Sequence, residues 1–82
     1  MFKIILAQNR QRAIEGLNLL DNNIKILENS KVKYDENKIN LYKKELKTNK
    51  IILQNDNVLM EDVDKILTFI DIANQVIMDK FN

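Results

Sequence analysis

The run VDKILTFIDIANQVIM, from Val63 to Met78, constrains this chain most. Within it Asp64, Thr68, Asp71 and Gln75, continued by Asp79, step by 4, 3, 4 and 4 and so mark one narrow side of an α-helix. Isoleucine, leucine, valine and phenylalanine fill most of the other positions. A helix with so thin a wet face has to be packed on most of its sides.

The two upstream segments carry matching seams. Ala13, Leu17, Leu20, Ile24 and Leu27 step by 4, 3, 4 and 3, and Leu6 extends the line back by one heptad. A second line, Ile5, Arg12, Leu19 and Ile26, runs at sevens beside it and is expected to touch a third helix. In the middle, Ile39, Tyr42, Leu46, Asn49 and Leu53 step by 3, 4, 3 and 4, flanked by Leu41 and Ile52. The last segment completes the set with Leu59, Val63, Ile66, Ile70, Ala73 and Ile77. Spacing that alternates between 3 and 4 is the signature of helices packed lengthwise, as in coiled coils.

The breaks fall between these segments. Asn29, Ser30 and Lys31 end the first helix, with asparagine suited to a left-handed terminal position. Asp35 is placed to cap the second helix, with Glu36 in its first turn. Gln54 to Asn57 forms the second break, where Asp56 or Asn57 is expected to cap the third helix. Proline is absent and Gly16 is the single glycine, which favours long helices over tight turns. The expected fold is therefore all-α: one domain over residues 1–82, a three-helix up-down-up bundle with helices near 4–28, 36–53 and 58–80. Gly16 inside the first seam is explained either by close helix approach or by tolerance of its propensity cost, about 1 kcal/mol.

A strand reading competes at isoleucine-rich stretches, above all from Ile51 to Met60, where Asp56-Asn57 suits a hairpin turn. FKIILA followed by RAIEGLNLL, within residues 2–20, resembles the start of a response-regulator receiver domain. Gln8 and Asn9 stand where that family carries acidic residues, and 82 residues do not hold its doubly wound sheet, so the family is rejected.

Composition excludes much chemistry. There is no cysteine and no histidine, which removes disulfides, thiolate metal sites and the commonest general base. Ser30, Thr48 and Thr68 are the only small hydroxyls, and none stands beside a base that would activate it. Glu61, Asp62, Asp64 and Asp71 read as a solvated acidic face rather than a metal site. No glycine-rich phosphate loop or EF-hand spacing occurs. The expectation is a non-enzymatic chain with no cofactor. No apolar run approaches the roughly 20 residues of a membrane span, and a cytoplasmic location is expected.

Two function classes remain. The apolar surplus of the last segment either lies at the centre of its own core or makes Leu67, Phe69, Ile72 and Val76 a face for self-association or for a protein partner. A domain of this size is marginal alone, so completion by a dimer is expected. The function then is that of a small helical adaptor, inhibitor or assembly subunit. The size and composition also suit accessory proteins of phages and mobile elements. The alternative is a nucleic-acid-binding regulator. Residues 31–50 carry seven lysines against three acids, and Lys43, Lys44, Lys47 and Lys50 offer a phosphate-binding face, expected opposite the seam. Residues 51–82 reverse the balance, with two lysines against six acids, and would repel the same phosphates.

Overall fold

A computed structural model describes residues 2–82. Three helices follow in order: α1 (Phe2–Asn29), α2 (Glu36–Gln54) and α3 (Met60–Phe81). Among the described residues there is no strand. The stretch resembling a βα start is one uninterrupted helix, and residues 51–60 hold the end of α2, a turn and the start of α3.

The seams explain the packing. Ala13, Leu17, Leu20, Ile24 and Leu27 of α1 are all buried, as are Val63, Ile66, Ile70, Ala73 and Ile77 of α3. Among the described residues no polar or charged one is buried with them. Burying such leucine and isoleucine side chains contributes about 1.5–3 kcal/mol each, set against the entropy of ordering the chain. Register is legible from polar contacts. Asn9 of α1 meets Met60 at the start of α3 (Nδ2 to Sδ, 3.6 Å), and Asn23 donates to Asn74 Oδ1 at 3.1 Å. Both pairs are 51 residues apart, so α1 and α3 run parallel. Arg10 reaches the end of α2 and Glu28 its middle, so α2 runs antiparallel to both. This is the up-down-up order.

The three helices do not contact one another equally. α1 packs most extensively on α3, less on α2, and α2 and α3 barely approach. Gly16 explains part of this. A Cβ built there would lie 3.0 Å from Ile70 Cδ1 and 3.3 Å from its Cγ2, so the missing side chain lets α3 seat against α1. The tight contact is with the end of the Ile70 side chain, so an alanine here requires Ile70 to shift by a few tenths of an ångström. α2 buries only Ile39, Leu46 and Leu53, one residue per heptad, while Tyr42 and Asn49 are half-buried. The molecule is accordingly long and flat, 45 × 21 × 16 Å. At 1.5 Å per residue, the 28 residues of α1 account for nearly all of that length, about 42 Å.

The caps are only partly those the sequence suggests. Asp35 does cap α2, accepting from the backbone N–H of Asn37 (3.0 Å) and Lys38 (3.2 Å). Asp35→Ala should therefore cost about 1 kcal/mol, measured as a lower urea midpoint with an unchanged slope. At the end of α1, asparagine in a left-handed conformation is not used; no described residue has positive φ. Ser30 serves instead: its hydroxyl donates to the Leu27 carbonyl at 2.6 Å and accepts from the Val32 N–H. The Asn55-Asp56-Asn57-Val58 turn is closed by Val58 N–H on the Asn55 carbonyl, with Asn55 Oδ1 accepting from Asn57. The Asp-Asn pair thus turns the chain between helices, not strands. The N-cap of α3 is Leu59, without a side-chain cap bond. Leu59 is extended and exposed, and Val58 enters the core in its place, because a helical spacing does not apply before the helix begins.

Candidate interaction surface

The four residues expected to form one docking face do not share one. On a helix, positions 67 and 69 point about 200° apart. Phe69 and Val76, one heptad apart, lie on the flank of α3 towards α2. Phe69 is half-buried and meets Tyr42 edge-on, ring centroids 5.8 Å apart at 73°. Val76 is half-buried with Tyr34, Lys38 and Ile39 of the α2 side around the same shallow cleft. Ile72 stands further out on this flank and is 56% exposed. Leu67 lies on the other flank. It is one heptad before Asn74 and one after Met60, both of which touch α1. Leu67 is half-buried against the core.

The lysines are divided too. Lys43 and Lys50 lie three residues before and four after Leu46, so they border the seam rather than oppose it. Lys43 Nζ donates to the Glu28 carboxylate at 2.6 Å, tying α2 to α1. That hydrogen bond, aided by the carboxylate's charge, holds the Lys43 ammonium above its ordinary 10.5. Lys50 is half-buried in a cleft of about 260 Å³ between α1 and α2, with Arg10, Asn18 and Leu53 in its walls. Only Lys44 and Lys47 remain as exposed, unpaired cations of the four. Such a divided set offers phosphates a weaker field than the sequence balance implies.

Exposed apolar residues occur in several places, among them Leu41, Ile51 and Leu59, and one line of them runs along α1. On α1, Ile5, Leu19 and Ile26 are 47%, 56% and 58% exposed. This is the second heptad line, and no third helix covers it; α3 sits on the neighbouring side, where Gly16 and Asn23 meet it. Met78 of α3, 56% exposed, lies on the same flank of α3 as Leu67, Met60 and Asn74, the flank nearest that line. Together these residues form an apolar line along the outer side of α1, extended by Met78 of α3, whose flank also carries exposed Asp71 one heptad earlier. The first turns of α1 add to it. Asn9 and Arg10 meet the first residue of α3 and the last turn of α2, so residues 2–8 run past the other two helices. Phe2 and Ile4 on this overhang are exposed. The periodicity that shows this stripe is plain in the sequence; which side α3 takes is not.

Among the described residues no group of three or more Asp or Glu side chains is placed to hold a metal ion, and no helix is long and apolar enough to cross a membrane. The fold and surface define a small three-helix bundle with an uncovered apolar edge. The chain matches no protein-family model, no curated protein and no solved structure.

Proposed function

We propose that this chain is a non-catalytic protein-interaction module, a small helical adaptor, inhibitor or assembly subunit that works by docking an apolar helix edge. The observation that carries this reading is the uncovered line Ile5, Leu19 and Ile26, with Met78 beside it. Three large aliphatic residues share one exposed side of one helix at multiples of the heptad, with Arg12 at the fourth position of the line. Strips of this kind mark contact surfaces, whereas scattered exposed leucines do not. The flank with Phe69, Ile72 and Val76 is a lesser candidate, because Phe69 is already engaged with Tyr42.

Nucleic-acid binding draws less support. Glu28 neutralises Lys43, Lys50 is half-buried, and phosphate affinity depends on several free cations acting together.

The test is a photo-activated cross-linking side chain at position 19, compared with one at exposed Glu36, the first residue of α2. The proposal expects a discrete protein adduct from position 19 in the cell and none from position 36. Absence of any adduct at 19, together with an oligonucleotide affinity that falls steeply with salt and is lost in a Lys44→Glu/Lys47→Glu variant, would replace it with the nucleic-acid reading.

A further inference from the structure

Resting on that reading, we infer that the occupant of the α1–α3 edge is a second copy of this chain, docked antiparallel about a two-fold axis near residues 15 and 16 of α1. Three observations select this occupant.

The first is the pattern of the line itself. Its two halves mirror each other about that axis: Ile5 falls opposite Ile26 of the other copy, and Arg12 opposite Leu19. A two-fold interface is self-complementary, with each residue meeting its mirror position, so a line of this kind can pair with itself without leaving a mismatched end.

The second is charge. Arg12 is the one charged residue on the line, and Glu15 stands one turn from Leu19 on the same side. Among the described residues neither has an ion-pair partner. Arg12 makes only a 3.4 Å bond to Asn9, and Glu15 accepts from Gln11 at 3.2 Å. In the antiparallel arrangement the stem of Arg12 lies on Leu19 of the other copy and its guanidinium reaches that copy's Glu15. The symmetry makes this contact twice and brings the two Glu15 side chains together at the axis, where the two flanking Arg12 balance them.

The third is shape. Residues 2–8 of α1 extend beyond α2 and α3 at one end, while at the other end α1 and α3 finish nearly level, with Ile26 near Met78. Antiparallel docking lays each overhang, with Ile5 at its edge, along the Ile26 and Met78 end of the other copy. From Ile5 to Ile26 the docked edge is about 32 Å long, and the polar and apolar flanks of two helices together make it about 20 Å wide. The footprint is then roughly 600 Å² per copy, approaching the about 800 Å² per partner of a standard stable interface.

The chain has no cysteine, which makes the test direct. Ile5→Cys and Ile26→Cys are prepared separately and treated with a short bismaleimide, alone and mixed. The docked pair expects a covalent dimer in the mixture and little from either variant alone. Light scattering on the unmodified chain should show a dimer that persists at high salt. Leu19→Lys should weaken it at least about 100-fold, since two buried leucines are lost per dimer and each lysine meets Arg12 of the other copy. Position 19 is exposed in the single copy, so the helical circular dichroism of Leu19→Lys should be unchanged, which separates lost docking from lost folding.

Cross-linking of each single variant with itself would mean a parallel pair and overturn the arrangement. A monomer at every concentration would overturn the second copy. In that case a foreign-protein adduct from position 19 leaves the interaction reading standing, and no adduct removes both.

Discussion

Leu20→Ala is expected to lower stability by about 3 kcal/mol, within the roughly 2–5 kcal/mol range for leucine truncations in a packed core. Leu20 is fully buried at the middle of α1, the helix that packs on both others. Truncation removes the transfer free energy of the lost methyl groups and leaves a cavity between rigid helices. A domain of 82 residues has a total stability of roughly 4–12 kcal/mol, so this loss is a large share of it. Urea denaturation followed by circular dichroism measures it. Leu41→Ala is the matched control: Leu41 is exposed on α2, and its truncation should stay within about 0.5 kcal/mol. Equal effects at the two positions would contradict the placement of the core.

Arg10→Met is expected to cost about 2 kcal/mol. Arg10 sends Nε (2.8 Å) and Nη2 (2.5 Å) to the carbonyl of Leu53, one of the carbonyls that the end of α2 leaves without a helical partner. Charge-assisted hydrogen bonds of this kind contribute about 1.5–3 kcal/mol, and removing the donor leaves a partly buried acceptor unsatisfied. Methionine keeps much of the stem's packing, so the measured loss reports the hydrogen bonds. Arg10→Lys should recover only part, because an ammonium cannot present two aligned donors to one carbonyl. The nearby Asp56, at 3.9 Å and almost fully exposed, contributes little, and Asp56→Asn should be close to neutral. Hydrogen exchange adds a local readout. In Arg10→Met the amides of the last turn of α2 and of the Asn55–Val58 turn should lose protection first.

Much of this molecule follows from spacing. The buried residues of α1 are those of its 4-3-4-3 seam, and α3 buries the seam from Val63 onward. A side chain that returns to one face every 3.6 residues, with no proline to interrupt it, has little choice but a helix with that face inward. The Asp35 cap and the i,i+4 pairs Asp21–Lys25 and Glu61–Lys65 are equally local and equally readable.

The surface was less legible. Leu67, Phe69, Ile72 and Val76 are all apolar and lie within ten residues, yet they divide between two flanks of α3, and their neighbours differ. Lys43 reads as a free cation until Glu28, fifteen residues away, is found against it. Nothing in the spacing singles out Arg10 until the end of α2 is found beside it. The line Ile5, Leu19 and Ile26 reads as a second contact with another helix, and within one copy that helix is missing.

The periodicity of the sequence by itself determined three helices, their approximate ends and most of the residues that face inward, because each depends on a local repeat and local backbone chemistry. Only the tertiary structure decided which apolar residues stay outside. A helix has room for neighbours on several sides, and its own spacing does not say which side is taken. Here Gly16 draws α3 close on one side of α1 and Arg10 and Glu28 hold α2 on another, leaving the third side apolar and open.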